Sequence, residues 1–183
     1  PSLWWPVVAR NKKAITLDMR QAEGQSILKE LVKNADFLLE NFRPGTMEKW
    51  GCSYAELAKI NPRLIMIRVS GYGQTGPYSH QAGFGGVGIS IGDELAATFA
   101  CLGALSALHY REKTGHGQIV DSAIYEAVLN MMESLITEYD KTGYIRERTG
   151  AILPNVAPSN VYPTRDGMVL IAAPNVAASD IKG

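Results

Sequence analysis

Asp93 stands where Ser90-Ile91-Gly92 gives way to a helical stretch. A carboxylate there has two uses. The ordinary one is as an N-cap or first-turn acid, worth about 0.3–1 kcal/mol against the helix dipole. The other is as a nucleophile: an aspartate with an unperturbed pKa of about 3.9 is already ionised at neutral pH and needs no partner base. No Ser/His/Asp arrangement competes with it. His80 falls in a loop, His109 near a helix end and His116 after a helix-ending glycine, while neither Cys52 nor Cys101 has a CxxC partner. No metal site is expected from that spacing.

Two other groups could serve a ligand. Gly71, Gly73 and Gly76 would let the backbone approach a bound molecule and present N–H donors. Their spacing matches neither GxGxxG nor GxxxxGK[ST], so a plain connecting loop accounts for them as well. Arg10, Lys12, Lys13, Arg20, Arg43 and Lys49 gather near the first two expected strand ends. Each is by default solvated surface; together they would suit phosphate groups.

These residues must be positioned by an alternation of strands and helices. Strands are expected at Ala14–Met19, Asp36–Glu40, Leu64–Ser70, Gln118–Asp121 and Met168–Ala173. Helices are expected over Gln21–Asn34 (with Ile27, Leu28, Leu31 and Val32 at helical spacing), after the Ser53/Glu56 capping box with Leu57 and Ile60 inward, from about Gly92 to Lys113, and over Ser122–Thr142. Gly115 and Gly143 are the expected stops, Leu153–Thr164 reads as a linker, and Asp166-Gly167 as a turn. Such alternation predicts an α/β fold with a parallel sheet covered on both faces. Ligands of open α/β sheets bind beyond the carboxyl ends of the strands, which selects the loops Asp18–Gln21, Asn41–Gly45 and Gly71–Gly86.

Composition narrows the partners. The 183 residues carry 18 Lys+Arg against 18 Asp+Glu, with 46% hydrophobic and 20% charged residues. That balance gives no sign of a nucleic-acid or membrane-surface partner. The longest apolar stretch, Ala96–Leu108, is shorter than the roughly 20 residues a spanning helix needs. Two cysteines are too few for a disulfide framework, and a reducing compartment, cytoplasmic or matrix-like, fits them.

Whole phrases add to this reading. ARNKKAITLDMR (9–20), LLENFRPGTMEKWG (38–51), NPRLIMIRVSGYGQTGPY (61–78), VGISIGDELAATFACLGALSALHYREKTGHGQIVDSAIYEAVL (87–129) and PNVAPSNVYPTRDG (154–167) resemble, in collinear order, the family III CoA-transferases. That group includes formyl-CoA transferase, carnitine-CoA transferases and the related 2-methylacyl-CoA racemases. The resemblance implies a large Rossmann-like domain with a parallel sheet, here residues 1–153, and a linker and the start of a smaller domain at 154–183. It implies a homodimer of interlocked chains, acyl-CoA and a carboxylic acid acceptor as substrates, and no permanently bound cofactor. Matching the motif places the catalytic aspartate at Asp93, which would form an acyl-aspartyl anhydride and then an aspartyl-CoA thioester. It places CoA contacts at Leu17, Asp18, Met19, Arg20, Asn41, Phe42, Arg43, Lys49 and Phe84. Lys49 stands where the family can use an arginine and lacks its bidentate fork, and Phe84 stands where some transferases carry a tyrosine and lacks its hydroxyl.

Two departures carry expectations. The family has a glutamate-containing helix and a Gly/Pro-rich loop, roughly twenty residues, between the positions matching Gly86 and Val87, so those Cα atoms should lie well beyond the about 3.8 Å of a trans peptide. The chain also resembles a protein entered after its first strand and helix and left soon after its second domain begins. The racemases carry a histidine where this sequence has Phe84, which favours transfer over proton exchange at the α-carbon. A CoA-binding module without turnover is the third reading.

Overall fold

In the computed structural model, which describes residues 5–81, 83, 90–150, 152 and 158–172, β1 (Phe37–Glu40), β2 (Ile65–Ser70) and β3 (Ile119–Ala123) form a parallel sheet in the order β1-β2-β3. The register sets Leu38 beside Met66 and Met66 beside Ile119. β2 lies in the middle because it alone is apolar on both faces. Leu64 and Met66 enter a core with Val32, Met47, Cys52 and Leu57. Ile65 and Ile67 point the other way, onto Ala100, Ala104 and Ala107.

The first face is covered by α2 (Ala22–Val32), α3 (Thr46–Lys49) and α4 (Tyr54–Ile60); a short α1 (Trp5–Val8) precedes them. Ser53 accepts the Glu56 N–H at 3.3 Å, so the capping residue expected for α4 is in place. In α2, Val32 is buried and Leu28 half-buried, but Ile27 and Leu31 remain exposed: the buried stripe is narrower than the spacing predicted. The second face is covered by α5 (Ile91–Thr114), which turns a stripe of small residues to the sheet. A Cβ added at Gly103 would sit 2.7 Å from Val120 Cγ1, so the helix packs directly on that side chain with no room for one of its own. At its far end Gly115 closes the helix in the left-handed conformation (φ 79°), its N–H bonded to the Arg111 carbonyl. The Arg111 side chain turns inward there, holding Asp36 at 2.9 Å and the Arg63 carbonyl at 3.2 Å. By length and composition alone α5 is long and apolar enough to cross a membrane, a test that a helix packed on a sheet also passes.

Three other expectations change. Ala14–Met19 is not a strand: it makes no ladder hydrogen bonds among the described residues, Ile15 is exposed, and an extended segment needs a neighbouring strand to become one. The helix expected over Ser122–Thr142 is two, α6 (Ile124–Asn130) and α7 (Leu135–Thr142), separated where Glu133 takes a positive φ of 51°. Part of the expected linker is β4 (Ser159–Pro163), paired antiparallel with β5 (Met168–Ala172) around the Thr164–Gly167 turn. Proline at a strand end reads as linker in sequence, yet a terminal edge position tolerates it. Residues 1–132 and 133–183 form separate compact units; α7, β4 and β5 belong to the second.

Candidate active site

The three parallel strands end at Glu40, Ser70 and Ala123, and α5 begins above the same end of the sheet because it runs back across it. Ser90 is the N-cap residue of α5, which makes Asp93 a first-turn acid. Its carboxylate is exposed, with no hydrogen-bond or ion-pair partner among the described residues. The positive end of the helix dipole favours a negative group at this position. Asp93 lines a largely apolar cavity of about 560 Å³ with Asn41, Leu39, Val69, Ala97 and Cys101. Asn41 is thus the CoA-contact candidate that meets the Asp93 cavity directly; Leu17–Arg20, Phe42, Arg43 and Lys49 do not line it.

Those other candidates lie outside that cavity. Met19 and Trp50 both pack on the core cluster that holds Met47. Leu17 is half-buried, while Asp18 and Arg20 are exposed. Gly24 brings α2 onto this segment, for a Cβ there would lie 2.1 Å from the Asp18 carbonyl oxygen. Gly24→Ala is expected to destabilise the fold by about 1–3 kcal/mol, since backbone must move to admit the methyl. A melting temperature equal to that of the parent protein would contradict this close approach.

Asp18 and Arg20 form a bidentate pair, Nε to Oδ1 at 2.9 Å and Nη2 to Oδ2 at 3.0 Å. The Arg20 side chain, then its backbone N–H, hold the Asp18 carboxyl down to about 2. With the folded value below the unfolded one, the pair's contribution is complete above the ordinary carboxylate pKa and disappears as pH falls through the lowered one. An NMR titration is expected to show Asp18 protonating near the lowered value, and closer to the ordinary one in Arg20→Gln, which loses the guanidinium but keeps the backbone N–H bond. Equal midpoints in both proteins would contradict the pairing.

After β1 the chain turns through Asn41-Phe42-Arg43 into α3, leaving Asn41, Arg43 and Lys49 exposed. The Phe42 ring meets Trp50 edge-on at 4.9 Å. Beneath them lies a group that the sequence reading did not single out. Arg68 of β2 is buried and donates to Glu40 Oε1 at 2.6 Å and to Glu48 Oε1 at 2.7 Å. One signal was available: a charge inside the apolar run LIMIRVS needs a buried acid.

The glycine-rich loop after β2 also has a built shape. Gly73 and Gly76 take positive φ, and Gly71 passes so close to Gly83 that a Cβ on either would fall within 2.7 Å of the other's backbone. Asp121 accepts the Gln74 N–H at 2.8 Å and Tyr125 donates to the Gly71 carbonyl, tying the loop to the end of β3. Phe84 and the Gly86–Val87 junction lie outside the described residues. Among the described residues no three His, Cys, Asp or Glu side chains group as metal ligands.

The description of CoA-transferase family III matches residues 1–90 and 86–179. The chain belongs to this family. Relatives of this family III chain include the succinyl-CoA–D-citramalate CoA-transferase of Chloroflexus aurantiacus, 58% identical over 95% of the chain and 48% of the relative. The alpha subunit of a succinyl-CoA–L-malate CoA-transferase from the same organism is 42% identical over 91% of the chain and 44% of its own length. A crystal structure of a CAIB/BAIF family protein from Brucella suis superposes with a TM-score of 0.75 at 31% identity, covering 88% of this chain and 48% of that one. The chain therefore spans about half the length of the relatives it matches. Its alignment with the citramalate enzyme runs over 195 positions against 183 residues, so some positions of that relative have no counterpart in the chain. The two family matches overlap at 86–90.

Proposed function

We propose that the whole protein transfers CoA from an acyl-CoA to a carboxylic acid through covalent intermediates on Asp93. The observation that carries this is an exposed carboxylate at the start of α5, without a partner among the described residues, opening onto a cavity at the carboxyl end of the sheet in a family III chain. The Asp93 carboxylate attacks the thioester carbonyl and the CoA thiolate leaves, giving a mixed acyl-aspartyl anhydride. The thiolate then attacks the aspartyl carbonyl, releases the donor acid and leaves an aspartyl-CoA thioester. The acceptor carboxylate repeats the sequence in reverse and regenerates Asp93. No redox change or external base is required, and the bond energies exchanged are nearly equal.

Arg20, Arg43 and Lys49 are proposed to hold the CoA phosphates, with Leu17, Asp18, Met19, Asn41, Phe42 and Phe84 completing the binding surface. The relatives' names make succinyl-CoA the first donor to try, and citramalate and malate the first acceptors. The same reading carries an interlocked homodimer, a large CoA-binding domain through residue 153 with a smaller one starting at 154, and a reducing compartment.

The test incubates the whole protein with succinyl-CoA, quenches it and maps adducts by mass spectrometry. Succinyl or CoA mass on Asp93 is the expected result. Exchange of the α-proton of a 2-methylacyl-CoA with solvent deuterium, without any adduct, would replace transfer by racemisation. CoA binding with neither event would leave a binding module.

A further inference from the structure

A charge buried in a strand interior is costly, and a well-packed apolar residue usually serves stability as well or better. Leu64 and Met66, the two preceding residues on the same face of the sheet, are apolar and fully buried. Arg68, next on that face, is 5% exposed and Glu40 beside it is 4% exposed. The pair departs from the apolar pattern where β1 and β2 approach the candidate CoA site.

Its hydrogen bonds lead into two separate ligand segments. Glu40 Oε1 accepts Arg68 Nε at 2.6 Å, and Glu40 Oε2 accepts the Phe42 backbone N–H at 2.7 Å. The rest of the guanidinium forks onto Glu48, Nη1 to Oε1 at 2.7 Å and Nη2 to Oε2 at 3.3 Å. Glu48 directly precedes Lys49 on α3, and Trp50 follows it with its ring against Phe42. One guanidinium thus sets the distance between the Asn41–Arg43 turn and the helix that carries Lys49. Burial pulls the Arg68 pKa down, but the bonds to Glu48 and Glu40 outweigh it and the net direction is up, while the Arg68 bond holds the Glu48 carboxyl below its ordinary range.

We propose that Arg68 is a positioning residue, which through Glu40 and Glu48 holds Arg43 and Lys49 at the spacing that the phosphates of CoA require. This rests on the CoA-binding reading of those two segments. Arg68 touches no substrate; it fixes the groups that do. Binding of a multiply charged ligand is sensitive to such spacing because misplaced cations must reorganise before they pair.

The experiment is calorimetric titration of the whole protein with CoA and with pantetheine, which lacks the phosphorylated adenosine and the pyrophosphate. Glu48→Gln is the first variant, because Glu48 is half open to solvent and its loss does not bury a lone charge. Its Kd for CoA is expected to rise about tenfold, with pantetheine affinity unchanged. Arg68→Lys, which keeps the charge and loses the fork, should show the same split. In turnover, the split appears as a raised KM for acyl-CoA with the acceptor KM and kcat held within about twofold. Equal weakening toward CoA and pantetheine, or no weakening of CoA by Glu48→Gln, would overturn the positioning role. Failure of the unsubstituted protein to bind CoA is a different result and removes the site reading itself.

Discussion

Asp93→Ala is expected to lower CoA transfer by roughly 10³-fold or more while CoA affinity changes by less than about threefold. The asymmetry follows from the carboxylate's position. It opens onto an apolar cavity with Asn41, whereas the cations proposed to hold CoA do not line that cavity. Removing it deletes the atom that forms the covalent bond and leaves the phosphate contacts in place. Asp93→Asn tests the same point without opening space: the amide preserves shape but cannot form the anhydride. Neither variant should carry acyl or CoA mass at position 93 after incubation with succinyl-CoA. Because Asp93 is exposed and contributes no side-chain cap, both variants should melt near the temperature of the parent. Unchanged turnover in either would remove Asp93 from the chemistry, and a large loss of CoA affinity would shift its role to binding.

The second large effect is on stability. Arg68→Met leaves the Glu40 carboxylate buried with the Phe42 N–H as its remaining described donor, and should destabilise the fold by about 3–5 kcal/mol. Arg68→Met/Glu40→Leu removes the stranded charge and should recover much of that loss, short of about 1–3 kcal/mol for the orphaned Phe42 N–H. Chemical denaturation of the three proteins decides it. A single variant as stable as the parent, or a double no better than the single, would show that the pair is not the buried unit described. Acid adds a further check. The Arg68 bond depresses the Glu48 carboxyl, so this stabilisation is complete above the ordinary glutamate pKa of about 4.3 and is lost as pH falls through the lower folded value. Below that range the parent's stability advantage over Glu48→Gln should shrink; an advantage that grows with acidification would contradict the sign.

Stability and function meet in this network, and they can be separated. The double variant, even where its fold is restored, lacks the tether between the Asn41–Arg43 turn and α3. It should therefore remain weak toward CoA. That outcome distinguishes a device for holding ligand groups from a core feature that happens to be charged.

Much of the molecule was legible from residue order, for local reasons. The apolar run around LIMIRVS has no single polar face, so it belongs at the centre of a parallel sheet, where β2 lies. Gly115 and Gly143 ended helices because each adopts positive φ with its N–H returned to a carbonyl four residues back. Asp93 could be placed in a first helical turn, and the collinear phrases pointed to the family to which the chain belongs. The places where the reading failed depend on partners distant in the chain. Ala14–Met19 has strand composition but no paired neighbour, and the break between α6 and α7 sits at a glutamate with a positive φ that propensity does not anticipate.

Sequence by itself therefore determined the alternation, the helix ends and a short set of chemically able side chains, because periodicity and backbone conformational limits act between near neighbours. Tertiary structure decided which of them share a space. Asn41 lines one cavity with Asp93, 52 positions away, only because β1 and the start of α5 converge at one end of the sheet. Arg68 is paired because a buried charge must be, and strand register sets Glu40 beside it while α3 brings Glu48 within reach.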